Sequence, residues 1–425
     1  MVIGSVDQDG TGGTARARAP SMQSIPEDIL PQFLRSGLRP LRMAGRELLP
    51  IIQGGMGIGV SAHRLAGHVA AEGGVGTISA VDLRHHHADL MERTRGVPSG
   101  AEGKALIDAA NLEALGREIA AARTICGGRG LLAVNVMRAV SEYSPHVRRA
   151  LECGIDAVVV GAGLPLDLPD LAADFPHVAL VPILSDARGV NLVVRKWERK
   201  RRMPDAIVLE HPDHAGGHLG AARVADLKDP RFDFERAVPE TLAVLRAAGL
   251  ENIPVIAAGG IRTLADIRRL QDLGAAAVQL GTPFAVTREG DAHPEFKRVL
   301  AEARDEDMVE FTSVAGLPAR AVATPWLKGY LRAEASLQAV AHPKKRCVNV
   351  FHCLAQCGLF DGNAKWGQFC IDQRLAAALR GDVRGGLFFR GRGALPFGDQ
   401  IRSVHELFLR LLGADEIGAA APVPT

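Results

Sequence analysis

The sequence predicts a (β/α)8 TIM barrel. Three observations predict it. Eight short aliphatic runs alternate with longer helical stretches, most of those runs are apolar throughout, and glycines gather just after several of them. Alternation of this kind marks a parallel sheet with crossover helices. A strand buried on both faces, as in a barrel wall, reads as continuous apolar sequence rather than as alternation. A doubly wound open sheet shares the alternation, and the count of eight favours closure.

The runs are Leu49–Gln53, Val75–Ser79, Leu131–Val136, Asp156–Val160, Val178–Pro182, Ala206–Leu209, Ile253–Ala257 and Ala276–Leu280. Helix signals lie between them. Ser61 is placed to cap a helix that buries Leu65 and Val69 and stops at Gly73. Asn111 is placed to cap one that buries Leu112, Leu115 and Ile119. Ser144-Pro145 opens another, ended by Gly154. Thr263 opens one with Leu264, Ile267 and Leu270 at helical spacing, ended by Gly274.

Two segments fall outside this plan. Residues 82–108 form a polar insert after the second run. From about 305 onward a C-terminal extension carries Trp326, Trp366 and four of the six cysteines. The chain therefore divides into a flexible, glycine-rich tail over 1–25, a barrel over 40–305, and an extension over 306–425 packed on the barrel.

Composition narrows the function classes. With 47% hydrophobic and 23% charged residues the chain is globular. A net charge of +2 gives no footprint for nucleic acid. The basic cluster Arg195–Arg202 follows Leu192-Val193-Val194 and reads as the solvated end of a helix. No apolar stretch approaches the ~20 residues of a membrane span, and the N-terminus has no apolar signal-peptide core. Six cysteines are too few for a disulfide scaffold of this size, so a reducing cytoplasm is expected.

In a barrel, catalytic groups sit at the C-terminal ends of the strands, and phosphates bind after the seventh and eighth. The seventh run leads into Gly259-Gly260-Ile261 and the Thr263 helix; the eighth leads into Gly281-Thr282. Glycines let backbone N–H groups approach an anion, and the helix start adds positive dipole. The first run ends in Gln53-Gly54-Gly55-Met56-Gly57-Ile58-Gly59, where backbone can approach a flat ring. After the sixth run, His211, His214 and His218 fall within eight residues. A metal site, a general base or anion-binding histidine, and an inert polar loop all fit that loop.

Six motifs then recur in order: Gln53–Met56, Val134–Met137, Gly161–Pro165, Ala215–His218, Ala257–Ile261 and Gln279–Thr282. Together they resemble the nitronate monooxygenase family, formerly the 2-nitropropane dioxygenases, over roughly residues 45–300 and more weakly beyond. Flavin-type enoyl-acyl-carrier-protein reductases and some NADH:quinone reductases share much of the pattern.

The resemblance implies an FMN-dependent barrel that oxidises alkyl nitronates with oxygen, or alternatively one that uses NADH to reduce an enoyl thioester or a quinone. It implies that Asn135 and the backbone at Gly55 and Met56 contact the flavin ring. Gly216 and Gly217 lie against the flavin. Gly259, Gly260, Gln279, Leu280, Gly281 and Thr282 hold the ribityl phosphate end, and His218 is the active-site histidine. His211 stands where the family usually has a flavin-contacting glutamine. The expected partners are a small-molecule substrate and oxygen, without nucleic acid or membrane, and a homo-oligomer is compatible with them. No resident metal is expected. Cys347, Cys353, Cys357 and Cys370 lack the paired C-x-x-C of a zinc site and read as buried or free thiols, and His85-His86-His87 reads as a solvated loop.

Overall fold

The computed structural model describes residues 24–348 and 350–414. Eight parallel strands close into a barrel: β1 Ile51–Gln53, β2 Val75–Ser79, β3 Leu131–Met137, β4 Ala157–Gly161, β5 Ala179–Leu184, β6 Ile207–Glu210, β7 Val255–Ala258 and β8 Ala277–Leu280. Every run expected from sequence is a barrel strand, with ends shifted by at most two residues. Closure is made by β8 on β1, with Ile52 opposite Gln279 and Gln53 opposite Leu280. Most of the flexible tail expected over 1–25 lies outside the described residues; Ile25 is already part of the buried core.

Each strand is apolar throughout because both faces are covered, yet its residues alternate between two cores. Leu131, Ala133, Ala157, Val159, Val208 and Ile256 point into the barrel. Their neighbours Leu132, Val134, Val158 and Val160 pack outward against helices. A hairpin, Leu41–Met43 with Arg46–Leu48, closes the N-terminal end, and its Leu41 and Leu48 join the inner core. The inner series continues at the other end into polar residues. Asn135 follows Ala133, Glu210 follows Val208, and Gln279 follows Ala277. Period two along a strand thus aims all three side chains into the barrel mouth.

Two helix caps differ from expectation. Asn111 lies inside the helix Ala101–Cys126, not at its start. Its carboxamide accepts from the Arg84 amide at 3.1 Å and donates to Asp82 at 3.0 Å, so it serves a tertiary network. Ser61 does not cap His63–Ala71; its hydroxyl accepts from the Met56 amide at 2.9 Å. The Asp291 carboxylate caps that helix instead, accepting from Ala62 at 2.8 Å and from Leu65 at 3.1 Å. Thr263 does form a capping box with Asp266, and the helix Tyr143–Glu152 begins one residue before Ser144. The basic cluster ends the helix Ala187–Glu198, with Trp197 buried and Arg195, Lys196 and Arg199 exposed.

The polar insert is largely helical: a single 3-10 turn Leu83–His86, the helix Ala88–Arg93, and the first turns of Ala101–Cys126. His85-His86-His87 is not a solvated loop. His85 Nε2 lies 3.2 Å from Asp82, and His86 Nε2 lies 2.8 Å from the Gly59 carbonyl. No helix among the described residues is long and apolar enough to cross a membrane.

Candidate active site at the barrel mouth

The C-terminal strand ends surround a cavity of about 700 Å³, within the ~300–1,000 Å³ typical of small-molecule sites. Of the thirteen residues singled out by sequence, twelve lie on its wall: Gly55, Met56, Asn135, Gly216, Gly217, His218, Gly259, Gly260, Gln279, Leu280, Gly281 and Thr282. His211 does not. Its ring packs edge-on against Phe234, with centroids 5.3 Å apart, and its Nε2 faces Asp233 at 3.4 Å. The turn after β6 folds back on the outer helix layer and carries His211 away from the mouth. His214, three residues on, does reach the cavity.

His218 sits on a short strand of the loop after β6 that pairs with the extension. Gly217–His218 pairs antiparallel with Pro318–Val322, which pairs in turn with Met308–Thr312. Arg320, fully buried, locks this arrangement. Its guanidinium donates to the Pro212 carbonyl at 3.2 Å and to the Ala215 carbonyl, and it meets Glu310 at 2.9 Å. Gly216 has to be glycine, since a Cβ there would stand 2.4 Å from the Arg390 backbone. The extension therefore forms one side of the site.

His218 Nε2 lies 3.0 Å from Ser313 Oγ, and its ring sits 5.7 Å from that of Phe389. Its Nδ1 makes no hydrogen bond among the described residues and stays available to a ligand. Burial pushes its pKa down to about 4, so the ring is neutral at pH 7. Below it, burial pushes Glu210 up to about 7, against the pull of Arg320. Asp372 also lines the wall, and burial and the neighbouring Asp82 charge raise its carboxyl well above the usual range. Burial opposes ionisation of Asp82 too, but hydrogen bonds to His85 and Asp372 and the Arg84 charge hold it low. Asp82, His85 and Asp372 bring ligand atoms within 4.8 Å of one another.

The opposite rim has the character of an anion cradle. Gly260 adopts φ +75°, and a Cβ there would meet the His214 ring at 2.9 Å, so only glycine keeps this backbone against the cavity. Arg262 follows on the same wall and donates to the Arg392 carbonyl. Thr282 Oγ1 accepts from the Gly391 amide at 3.0 Å, and the Arg392 amide donates to the His214 carbonyl at 3.1 Å. These bonds tie the 389–392 segment of the extension across the rim that carries Gly260 and Thr282. The side chains of Asn135 and Gln279 make no hydrogen bond among the described residues, and both face the cavity. Sequence reasoning missed Glu210, Arg262, Ser313, Asp372 and Phe389–Arg392 as site residues. The first two carried a signal, being charged residues at strand ends; the others carried none.

A closed parallel barrel with polar inner positions converging on a mouth cavity defines a barrel enzyme. The chain belongs to the nitronate monooxygenase family, whose model matches residues 45–413. It is 33% identical over 129 residues to a probable nitronate monooxygenase of Bacillus subtilis, an alignment covering 30% of this chain and 35% of that protein. The chain's matches to the first of these curated relatives span only about a third to a half of their length. FabK from Thermotoga maritima shares the fold with a TM-score of 0.59 and 21% identity, over 87% of this chain and 93% of that one. A nitroalkane oxidase from Streptomyces ansochromogenes does so with a TM-score of 0.59 and 19% identity, over 91% and 98%.

Proposed function

We propose that the protein binds FMN at the barrel mouth and oxidises alkyl nitronates with molecular oxygen. The observation that carries this reading is the pairing of a neutral, desolvated His218 on one side of the cavity with a glycine-and-arginine anion cradle on the other. The residues fit the flavin. Gly259, Gly260, Arg262, Gly281 and Thr282 supply donors for a terminal phosphate. The unpartnered carboxamides of Asn135 and Gln279 suit the polar edge of a flat heterocycle, and Met56, Met137 and Ile183 supply apolar wall.

When bound, FMN supplies the redox chemistry. The chain's own residues do the rest. A neutral His218 removes the α-proton of a nitroalkane at Nδ1, with Ser313 at Nε2 fixing the ring. The resulting imidazolium attracts the nitronate oxygens, so one residue serves both the neutral and the anionic substrate. The apolar wall excludes water and strengthens that attraction. With six free thiols, the protein suits a reducing cytoplasm.

Anaerobic mixing of FMN-loaded protein with propyl-2-nitronate, and separately with NADH, tests the reading. Bleaching of the flavin by the nitronate and not by NADH is expected. Rapid bleaching by NADH alone would replace it with the reductase reading.

A further inference from the structure

The barrel chemistry leaves four cysteines of the extension unused. Cys347, Cys353, Cys357 and Cys370 fall in the stretch between the helices Pro325–Ala339 and Ile371–Leu379, which forms no helix or strand among the described residues. Barrel and extension both fix this stretch. The Ser141 amide donates to the Cys353 carbonyl at 3.2 Å, the Ala355 amide to the Ala139 carbonyl at 2.8 Å, and, within the extension, the Gly358 amide to the Val314 carbonyl at 2.7 Å. Cys370 occupies the N-cap position of Ile371–Leu379.

Cys353 stands close enough to Cys347, Cys357 and Cys370 for their charges to act on it, and none of the four is in a disulfide. All four are buried or half-buried, Cys357 with only 6% of its surface exposed.

Among the described residues, no three of these sulfurs come within 4.8 Å of one another. A single zinc ion, with bonds of ~2.3 Å to sulfur, draws its ligands closer than that. A polynuclear cluster accepts thiolates set further apart and requires no paired C-x-x-C spacing.

From the arrangement of Cys347, Cys353, Cys357 and Cys370 we propose that the extension binds a four-iron, four-sulfide cluster. Cys353 and Leu354 also line the cavity, alongside Met137 and Val140. The cluster therefore stands against the wall of the mouth cavity, a one-electron carrier beside the place that the proposed function gives to FMN. The cluster itself is assigned by the thiols and does not depend on that reading.

The test is metal and sulfide analysis of full-length protein, purified without oxygen and reconstituted with ferrous iron and sulfide. Flavin content is measured separately, so that failure of the flavin reading and failure of the cluster are told apart. About four irons and four acid-labile sulfides per chain are expected, with an electron paramagnetic resonance signal after reduction by dithionite. Cys357→Ser and Cys370→Ser should each lose most of the iron, while Cys126→Ser, outside the group, keeps it. Reconstituted wild-type protein that carries zinc in place of iron, or neither iron nor sulfide, overturns the assignment. So does full iron content in Cys370→Ser.

Discussion

His218 Nε2 and Ser313 Oγ meet at 3.0 Å although 95 positions separate them in the chain. The serine hydroxyl also accepts from the Ala315 amide at 3.3 Å, which turns it toward the imidazole. It thereby holds the ring by one nitrogen and leaves the other to the cavity.

Replacing each partner in turn should separate chemistry from positioning. His218→Ala is expected to keep FMN and lose about 10²–10⁴-fold in turnover. Ser313→Ala is expected to lose about tenfold, the worth of one net hydrogen bond. Steady-state kinetics with propyl-2-nitronate, alongside flavin absorbance, read both. Unchanged turnover in His218→Ala would remove it from the reaction.

Two shifted groups of the mouth, His218 and Glu210, act on stability in opposite senses. The folded pKa of His218 lies below the ordinary 6.5, at about 4. Its contribution is therefore present above pH 6.5 and is lost as pH falls through about 4. Urea unfolding from pH 7 down to pH 4 should show a steeper decline for wild type than for His218→Gln.

Glu210 behaves the other way. Its folded pKa is raised from 4.5 to about 7, so its contribution is complete below 4.5 and is lost as pH rises through about 7. Glu210→Gln should gain stability relative to wild type above pH 7. It should also abolish any change in the flavin absorbance spectrum with a midpoint near neutrality.

Arg262 is expected to act on the phosphate and not on the ring. A hydrogen bond to a charged group contributes ~1.5–3 kcal/mol, so Arg262→Gln should weaken FMN binding by roughly 10–150-fold. Riboflavin, which lacks the phosphate, should bind both proteins alike. Equal losses for the two ligands in a fluorescence titration would place Arg262 elsewhere.

Arg320 carries a structural load. Arg320→Met leaves Glu310 and the Pro212 and Ala215 carbonyls without their shared partner. Breaking a buried ion pair from one side costs about 3–5 kcal/mol, and calorimetry should show a loss of that order together with reduced turnover.

The barrel was legible because its strands are enclosed on both sides, and continuous apolar runs such as Leu131–Val136 have little other use. The place of Gly259-Gly260 and Gly281-Thr282 on the cavity wall was legible because they follow barrel strands, whose C-terminal ends surround the mouth. Local capping was read well where the partner is local, as at Thr263 and Asp266. It failed at Ser61, because the true cap, Asp291, arrives from 229 positions away. His211 was misplaced for a related reason. Alignment to a motif gives a position along a loop but not the direction of a turn, and this turn points the ring at Phe234. Ser313, Arg320 and Phe389–Arg392 carried no signal, since only antiparallel pairing between distant segments brings them to the mouth.

That pairing bears on how the protein comes into being. A ribosome completes β8 long before it makes Pro318–Val322 or Arg390. The nascent chain can close its barrel and present its glycine cradle while the strand that seats His218 still has no partner. A flavin captured at that stage would meet no positioned base, and reactivity would switch on only when the last segments fold back across the mouth.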